Sequence, residues 1–93
     1  MKILGIQTSA LIWSVGIVDE EKILGEYTFN SYERLSKILV PAIDELLNKT
    51  GLKSKELDGI AVTKGPGLFT GGRIGLSVAK GLAMGLDIPV VGI

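Results

Sequence analysis

The sequence predicts a mixed α/β fold of order βββαβαβ, with a five-stranded sheet and two helices, and three observations carry that prediction. Three strand-like runs open the chain, joined by connections short enough only for an antiparallel meander. A helical period follows. A strand–helix–strand then closes the chain, with lengths that suit a right-handed crossover between parallel strands.

Lys2 to Thr8 is an Ile- and Leu-rich run that reads as a central strand. Thr8-Ser9-Ala10 makes a polar corner. From Leu11 to Val18, the bulky Leu11, Trp13, Val15 and Ile17 alternate with Ile12, Ser14, Gly16 and Val18. Asp19-Glu20-Glu21 turns the chain into a third strand, Lys22 to Phe29, whose Glu26 and Thr28 suit a sheet edge. Leu35, Ile38, Leu39, Ala42, Ile43, Leu46 and Leu47 then follow the i, i+3, i+4, i+7 series of an amphipathic helix. Asn30 or Ser31 can cap it, Pro41 is expected to kink it, and Gly51 ends it. Leu57 to Thr63 reads as the fourth strand, Arg73 to Leu86 as the second helix. Ile88 to Ile93 is apolar throughout and reads as an internal fifth strand.

Between strand and second helix lies Thr63-Lys64-Gly65-Pro66-Gly67-Leu68-Phe69-Thr70-Gly71-Gly72-Arg73. Gly65, Pro66 and Gly67 form a rigid corner, Thr70 can cap the helix, and Gly71 opens a stripe of small residues. Neither phosphate-loop pattern fits. GxGxxG read from Gly65 meets Thr70 at its last position, and the P-loop pattern meets Arg73 instead of Lys. A structural turn is the reading adopted.

The second helix carries Ile74, Val78, Leu82 and Leu86 on one stripe, and Gly71, Gly75, Ala79 and Ala83 on the next. Its glycines, including Gly81 and Gly85, each cost roughly 1 kcal/mol relative to Ala. Two reasons for that cost stay open: tight packing on the sheet, or close approach of a protein partner.

Composition removes several function classes. The 93 residues contain no Cys and no His, which excludes thiol nucleophiles, His-based acid–base chemistry and Cys/His zinc sites. Ten basic and ten acidic residues balance, without the basic excess of a nucleic-acid binder. A mean hydropathy of +0.42 is high for so short a soluble chain and points to surface covered by another lobe or chain. No apolar run reaches the ~20 residues of a membrane span, no signal-peptide pattern opens the chain, and a cytoplasmic setting is expected. Gln7 is a poor Mg²⁺ ligand. Asp19-Glu20-Glu21 and Asp44/Glu45 read as solvated, and Trp13 as core.

The stretch Gly65 to Gly75, with Ala79-Lys80-Gly81-Leu82-Ala83 and Ile88-Pro89-Val90-Val91-Gly92 behind it, closely resembles the TsaB (YeaZ) family. Ile3-Leu4-Gly5-Ile6-Gln7-Thr8-Ser9, Ser14-Val15-Gly16-Ile17 and Leu39-Val40-Pro41-Ala42-Ile43 fit the same family. The resemblance implies a ribonuclease-H-like lobe of the actin/hexokinase-like superfamily. Residues 1–93 would be the N-terminal lobe, with a second lobe absent. It implies a non-catalytic scaffold for tRNA threonylcarbamoyladenosine modification, without cofactor or metal. The partner would be the TsaD-type catalytic paralogue or a second copy in a homodimer, with no direct nucleic-acid contact. The paralogue binds metal through paired histidines, which this chain lacks, and Gln7 stands where the family usually has Asp. Helix pairing would place the contact among Ile74, Ser77, Val78 and Met84, and less strongly Leu35, Ile38, Leu39 and Ala42. A glycoprotease-like hydrolase and a nucleotide-binding sugar-kinase-like lobe are the rival readings.

Overall fold

The computed structural model describes residues 1–8, 12–29, 35–63 and 70–93, with side chains at 70 and 71 set aside. Its elements are β1 (Lys2–Gln7), β2 (Trp13–Asp19), β3 (Lys22–Phe29), α1 (Leu35–Thr50), β4 (Gly59–Val62), α2 (Thr70–Leu86) and β5 (Val90–Gly92), with a 3₁₀ turn at Ser54–Glu56 before β4. The strands lie in the order β3-β2-β1-β4-β5. β1, β2 and β3 pair antiparallel, while β4 runs parallel to both β1 and β5. The predicted α/β class, element order and central first strand are all present. β5 is the exception: it is an edge strand, not an internal one. Among the described residues it pairs with β4 alone, and Val91 and Ile93 are 59% and 74% exposed. An apolar run marks strand-forming side chains; it does not count the neighbours.

Strand alternation sets the core. Leu4 and Ile6 on β1, Val15 and Ile17 on β2, and Ile60 and Val62 on β4 are buried in one cluster with both helices. Leu35, Leu39, Ile43, Leu46 and Leu47 fill it from α1, and Ala79 and Ala83 from α2. α1 lies over β3 and β2, and α2 over β4, β1 and β5, so both helices cover the same side of the sheet. α1 continues through Pro41, which sits on the exposed side beside Val40.

Both helices end in the same hydrogen-bonded way. Leu52 N–H donates to the Leu47 carbonyl and Gly51 N–H to that of Asn48, with Gly51 at φ +74°. Ile88 N–H donates to the Ala83 carbonyl and Asp87 N–H to that of Met84, with Asp87 at φ +55°. These are Schellman closures, the first on the expected glycine and the second on an aspartate, one of the few residues that tolerate the left-handed region.

α2 begins at Thr70, three residues before the predicted Arg73, because its glycine-rich first turn hides the helical period. Thr70 and Gly71 are therefore helical, while Gly65, Pro66 and Gly67 lie outside the described residues. Gly75 is the point where α2 meets β1. A Cβ there would overlap Thr8 Oγ1 and stand 3.4 Å from Ile6 Cγ2. Thr8 itself is 1% exposed and its hydroxyl has no hydrogen-bond partner among the described residues.

The acidic turn does more than meet solvent. The Met1 ammonium donates to Asp19 and to Glu20, both at 3.0 Å, and ties the start of β1 to the β2–β3 corner. The bonds to Glu20 and then Asp19 raise the amino group above its ordinary value. The same ammonium lowers the Asp19 carboxyl.

Two predictions follow from this packing. Gly75→Ala is expected to destabilise the chain by about 1–3 kcal/mol, because the overlap exceeds the helix-propensity gain, and adding Thr8→Ala should recover much of the loss. Denaturant melts of the two single variants and the double variant measure it. The terminal clamp contributes below the ordinary amino value of about 8 and is lost as pH rises through the raised value. It is likewise present above the ordinary carboxyl value of about 4 and lost as pH falls through the lowered one. Acetylating the N-terminus should therefore flatten the alkaline limb of a melting-temperature–pH profile.

Candidate partner interface

Seen end-on, α2 divides its residues between two directions. Gly75, Ala79 and Ala83 are buried against the sheet. Ser77, Gly81, Met84 and Gly85 point the other way and are exposed, with Met84 at 82%. Ile74 and Val78 lie between, half-buried on the side toward α1. With Ser36 of α1, the residues Arg73, Ile74, Ser77 and Val78 line an open hollow of about 330 Å³ between the two helices.

The glycines of α2 thus have separate reasons. Gly75 answers to Thr8 beneath it. A Cβ on Gly81 or Gly85 would meet nothing within 4 Å. Nothing among the described residues requires glycine there, and each still costs roughly 1 kcal/mol of helix stability. Ser77, Gly81 and Gly85 recur every fourth residue, the spacing of a ridge that lets a second helix come close. Arg73 and Lys80 flank the stripe, and α2 carries no acidic residue. Chemically the face is a shallow, apolar, small-residue surface with a basic rim.

The eight expected contact residues separate into two groups. Ile74, Ser77, Val78 and Met84 do form one surface on α2. Leu35, Leu39 and Ala42 are 3%, 1% and 6% exposed and pack inside the chain. Their stripe is the one that the sheet takes. Ile38 is half-buried at its margin. The apolar residues that α1 does expose include Val40, at 48%, and Pro41, which was expected to kink the helix. The signal for them was there, since both lie off the Leu35–Leu39–Ile43 stripe.

The strand-end corner offers less. The Thr63 hydroxyl donates to Gln7 Oε1, closing the end of β1 onto the end of β4. Among the described residues no group of acidic, His or Cys side chains is placed to hold a metal ion. Asp44 and Glu45 are exposed, and Trp13 packs against the core. No helix among the described residues is long and apolar enough to cross a membrane.

Comparison with known proteins bears on the family and the fold. The family model described as TsaD, tRNA N6-adenosine threonylcarbamoyltransferase, matches residues 22–93. The tRNA threonylcarbamoyladenosine biosynthesis protein TsaB of Bacillus subtilis is 39% identical over 90 residues, which are 97% of this chain and 39% of that protein. A tRNA N6-adenosine threonylcarbamoyltransferase of Fervidobacterium nodosum is 35% identical over 108 aligned positions, covering all of this chain and 32% of that one. The structure of YeaZ from Pseudomonas aeruginosa superposes with a TM-score of 0.88 at 32% identity, over 99% of this chain and 42% of that chain. The chain thus spans about two-fifths of the TsaB and YeaZ proteins that it matches. With a family model covering most of its length and the ribonuclease-H-like fold of YeaZ in its sheet and helices, the chain belongs to the TsaD family of domains and resembles its TsaB (YeaZ) members.

Proposed function

We propose that this chain is the N-terminal lobe of a TsaB-type scaffold in tRNA threonylcarbamoyladenosine modification, working in the cytoplasm and doing no chemistry of its own. Its outward α2 face would bind the TsaD-type catalytic paralogue, or a second copy when the paralogue is absent. The observation that carries the reading is the pair Gly81 and Gly85, exposed and facing open space beside Met84. Glycines that weaken a helix without easing any internal contact are accounted for by a helix that packs against them from outside. Ile74, Ser77 and Val78 extend that surface toward Ser36 of α1. The basic rim of Arg73 and Lys80 favours a partner helix with carboxylates at its margin.

A catalytic reading has one finding in its favour, the similarity to transferases of the TsaD type. Against it stand the absence of His and Cys from the sequence and the engagement of Gln7 with Thr63. Among the described residues no site supports the hydrolase or nucleotide-binding readings better. An unchanged melting temperature in millimolar ATP is the expected result for the second of these.

Sedimentation velocity on the chain alone, across a concentration series, and then mixed with a TsaD-type protein tests the scaffold reading. The expected outcome is self-association that gives way to a heterocomplex. Gly81→Ala should raise the stability of the lone chain by roughly 1 kcal/mol while weakening association, an opposite pair of signs that a merely structural glycine would not give. Met84→Glu should cost about 2 kcal/mol or more of association with little change in melting temperature. Unchanged association in both variants would remove the α2 face from the proposal.

A further inference from the structure

Asp58 and Gly59 each answer a packing need of their own. Asp58 is exposed, just ahead of β4, and meets Lys2 twice. Its Oδ2 accepts the Lys2 N–H at 2.7 Å, and its own N–H donates to the Lys2 carbonyl at 2.8 Å. A carboxylate there makes a charge-assisted bond to the first amide of the central strand. Gly59 opens β4 and is buried. A Cβ on it would stand 3.1 Å from Ile3 Cδ1 and 3.6 Å from the Pro89 carbonyl oxygen, between β1 and the residue that leads into β5. Glycine within a strand marks this kind of close approach.

Together the two needs create a dipeptide with a chemistry of its own. Asp58 alone among the aspartates precedes a glycine; Asp19, Asp44 and Asp87 precede Glu20, Glu45 and Ile88. Before glycine no side chain shields the backbone nitrogen, and the backbone is free to take the angles that ring closure demands. The Gly59 nitrogen can then attack Asp58 Cγ. The N–Cγ bond forms and the Cγ–OH bond of the neutral carboxyl breaks, so hydroxyl and amide hydrogen depart as water. Water then returns to the cyclic imide at either carbonyl. Opening at Cγ restores aspartate. Opening at the main-chain carbonyl routes the backbone through Cβ and Cγ and leaves isoaspartate with a free α-carboxylate. Nothing is oxidised or reduced, and the mass is unchanged.

The closed sheet denies that ring its geometry. Oδ2 is committed to Lys2. The Asp58 N–H is tied to the Lys2 carbonyl, and the Ile60 N–H to the Pro89 carbonyl at 3.0 Å. The peptide plane between Asp58 and Gly59 is thus held on both sides. It cannot turn about the Asp58 Cα–C bond unless those bonds open.

We propose that Asp58–Gly59 is a site of spontaneous isoaspartate formation gated by the pairing of β1 with β4. The site is reactive in the unpaired chain and shut once Lys2 has closed on Asp58. Isomerisation adds one main-chain atom ahead of β4, so Gly59 no longer falls opposite Ile3, its partner in the register. A chain altered before closure therefore cannot complete its central pairing. Neither residue lies on α1 or α2, so the proposal does not rest on the partner reading.

The test holds the 93-residue chain at mildly acidic pH, native and in concentrated urea, and then digests it. IsoAsp at position 58 gives a second chromatographic peak of equal mass that an aspartate-specific protease does not cut. The unfolded chain is expected to accumulate this peak, and the native chain about tenfold more slowly or less, since only molecules opened at β4 react. Lys2→Pro removes the amide that holds Oδ2, at a strand start where proline is tolerated. Well below its melting transition it should react about threefold faster than the native parent, or more. Ile3→Ala thins the cover over Gly59 and should also react faster; it takes the place of Lys2→Pro if that variant does not fold. Asp58→Glu should give no such peak in either condition. Three outcomes would overturn the proposal: equal rates in the native and urea-unfolded parent, no isoaspartate at Asp58 in urea, or the parent's native rate in the folded variants.

Discussion

The closeness of α2 to β1 at Gly75 is the constraint on which the rest of this lobe depends. A single missing Cβ lets the helix settle onto Thr8 and Ile6, and Ala79 and Ala83 continue the same low profile along the helix. Because the near side of α2 is flat and close-packed, its far side is carried to a fixed height above the sheet. Ser77, Gly81 and Met84 are then presented to the outside, without competing for the core. A bulkier residue at position 75 would tilt or lift the whole outward face. The packing decision and the docking decision are the same decision, made on opposite sides of one helix.

Thr8 shows that the seating has a cost. Its hydroxyl is buried without a hydrogen-bond partner among the described residues, and an orphaned group of that kind typically costs about 1–3 kcal/mol. A Val in its place would keep the shape and lose the orphan. Against this local deficit stands a core that draws on β1, β2, β4 and both helices, with Leu4, Ile17 and Leu46 wholly excluded from solvent. The N-terminal ammonium adds a clamp at the far end of β1, between Asp19 and Glu20.

Much of this was written plainly in the chain. Alternation in Trp13 to Val18 places Val15 and Ile17 inward and Ser14 and Gly16 outward, as the structure has them. The α1 stripe was equally legible, but its use was not. Periodicity identifies an apolar face and is silent on whether a sheet or a partner covers it, which is why Leu35, Leu39 and Ala42 were read in both ways. The edge position of β5 was hidden for a related reason: hydropathy does not encode strand order. Glycine was the least legible residue. Gly5, Gly75 and Gly81 look alike in a sequence, and only the space around each separates a tight seat from an open approach.

The pairing of β1 with β4 carries a kinetic consequence. Lys2 N–H donates to the Asp58 carboxylate at 2.7 Å while Asp58 N–H donates to the Lys2 carbonyl, a reciprocal pair separated by 56 residues. The meander and α1 can assemble from near neighbours, but the central strand remains half-paired until everything up to β4 has been made. Closing so long a loop is slow compared with forming a hairpin. During that interval the side of β1 that will meet β4 is an open edge in the middle of the future sheet. An emerging chain of this kind relies on the early arrival of α1 over β2 and β3 to keep its apolar row covered while the last pairing is found.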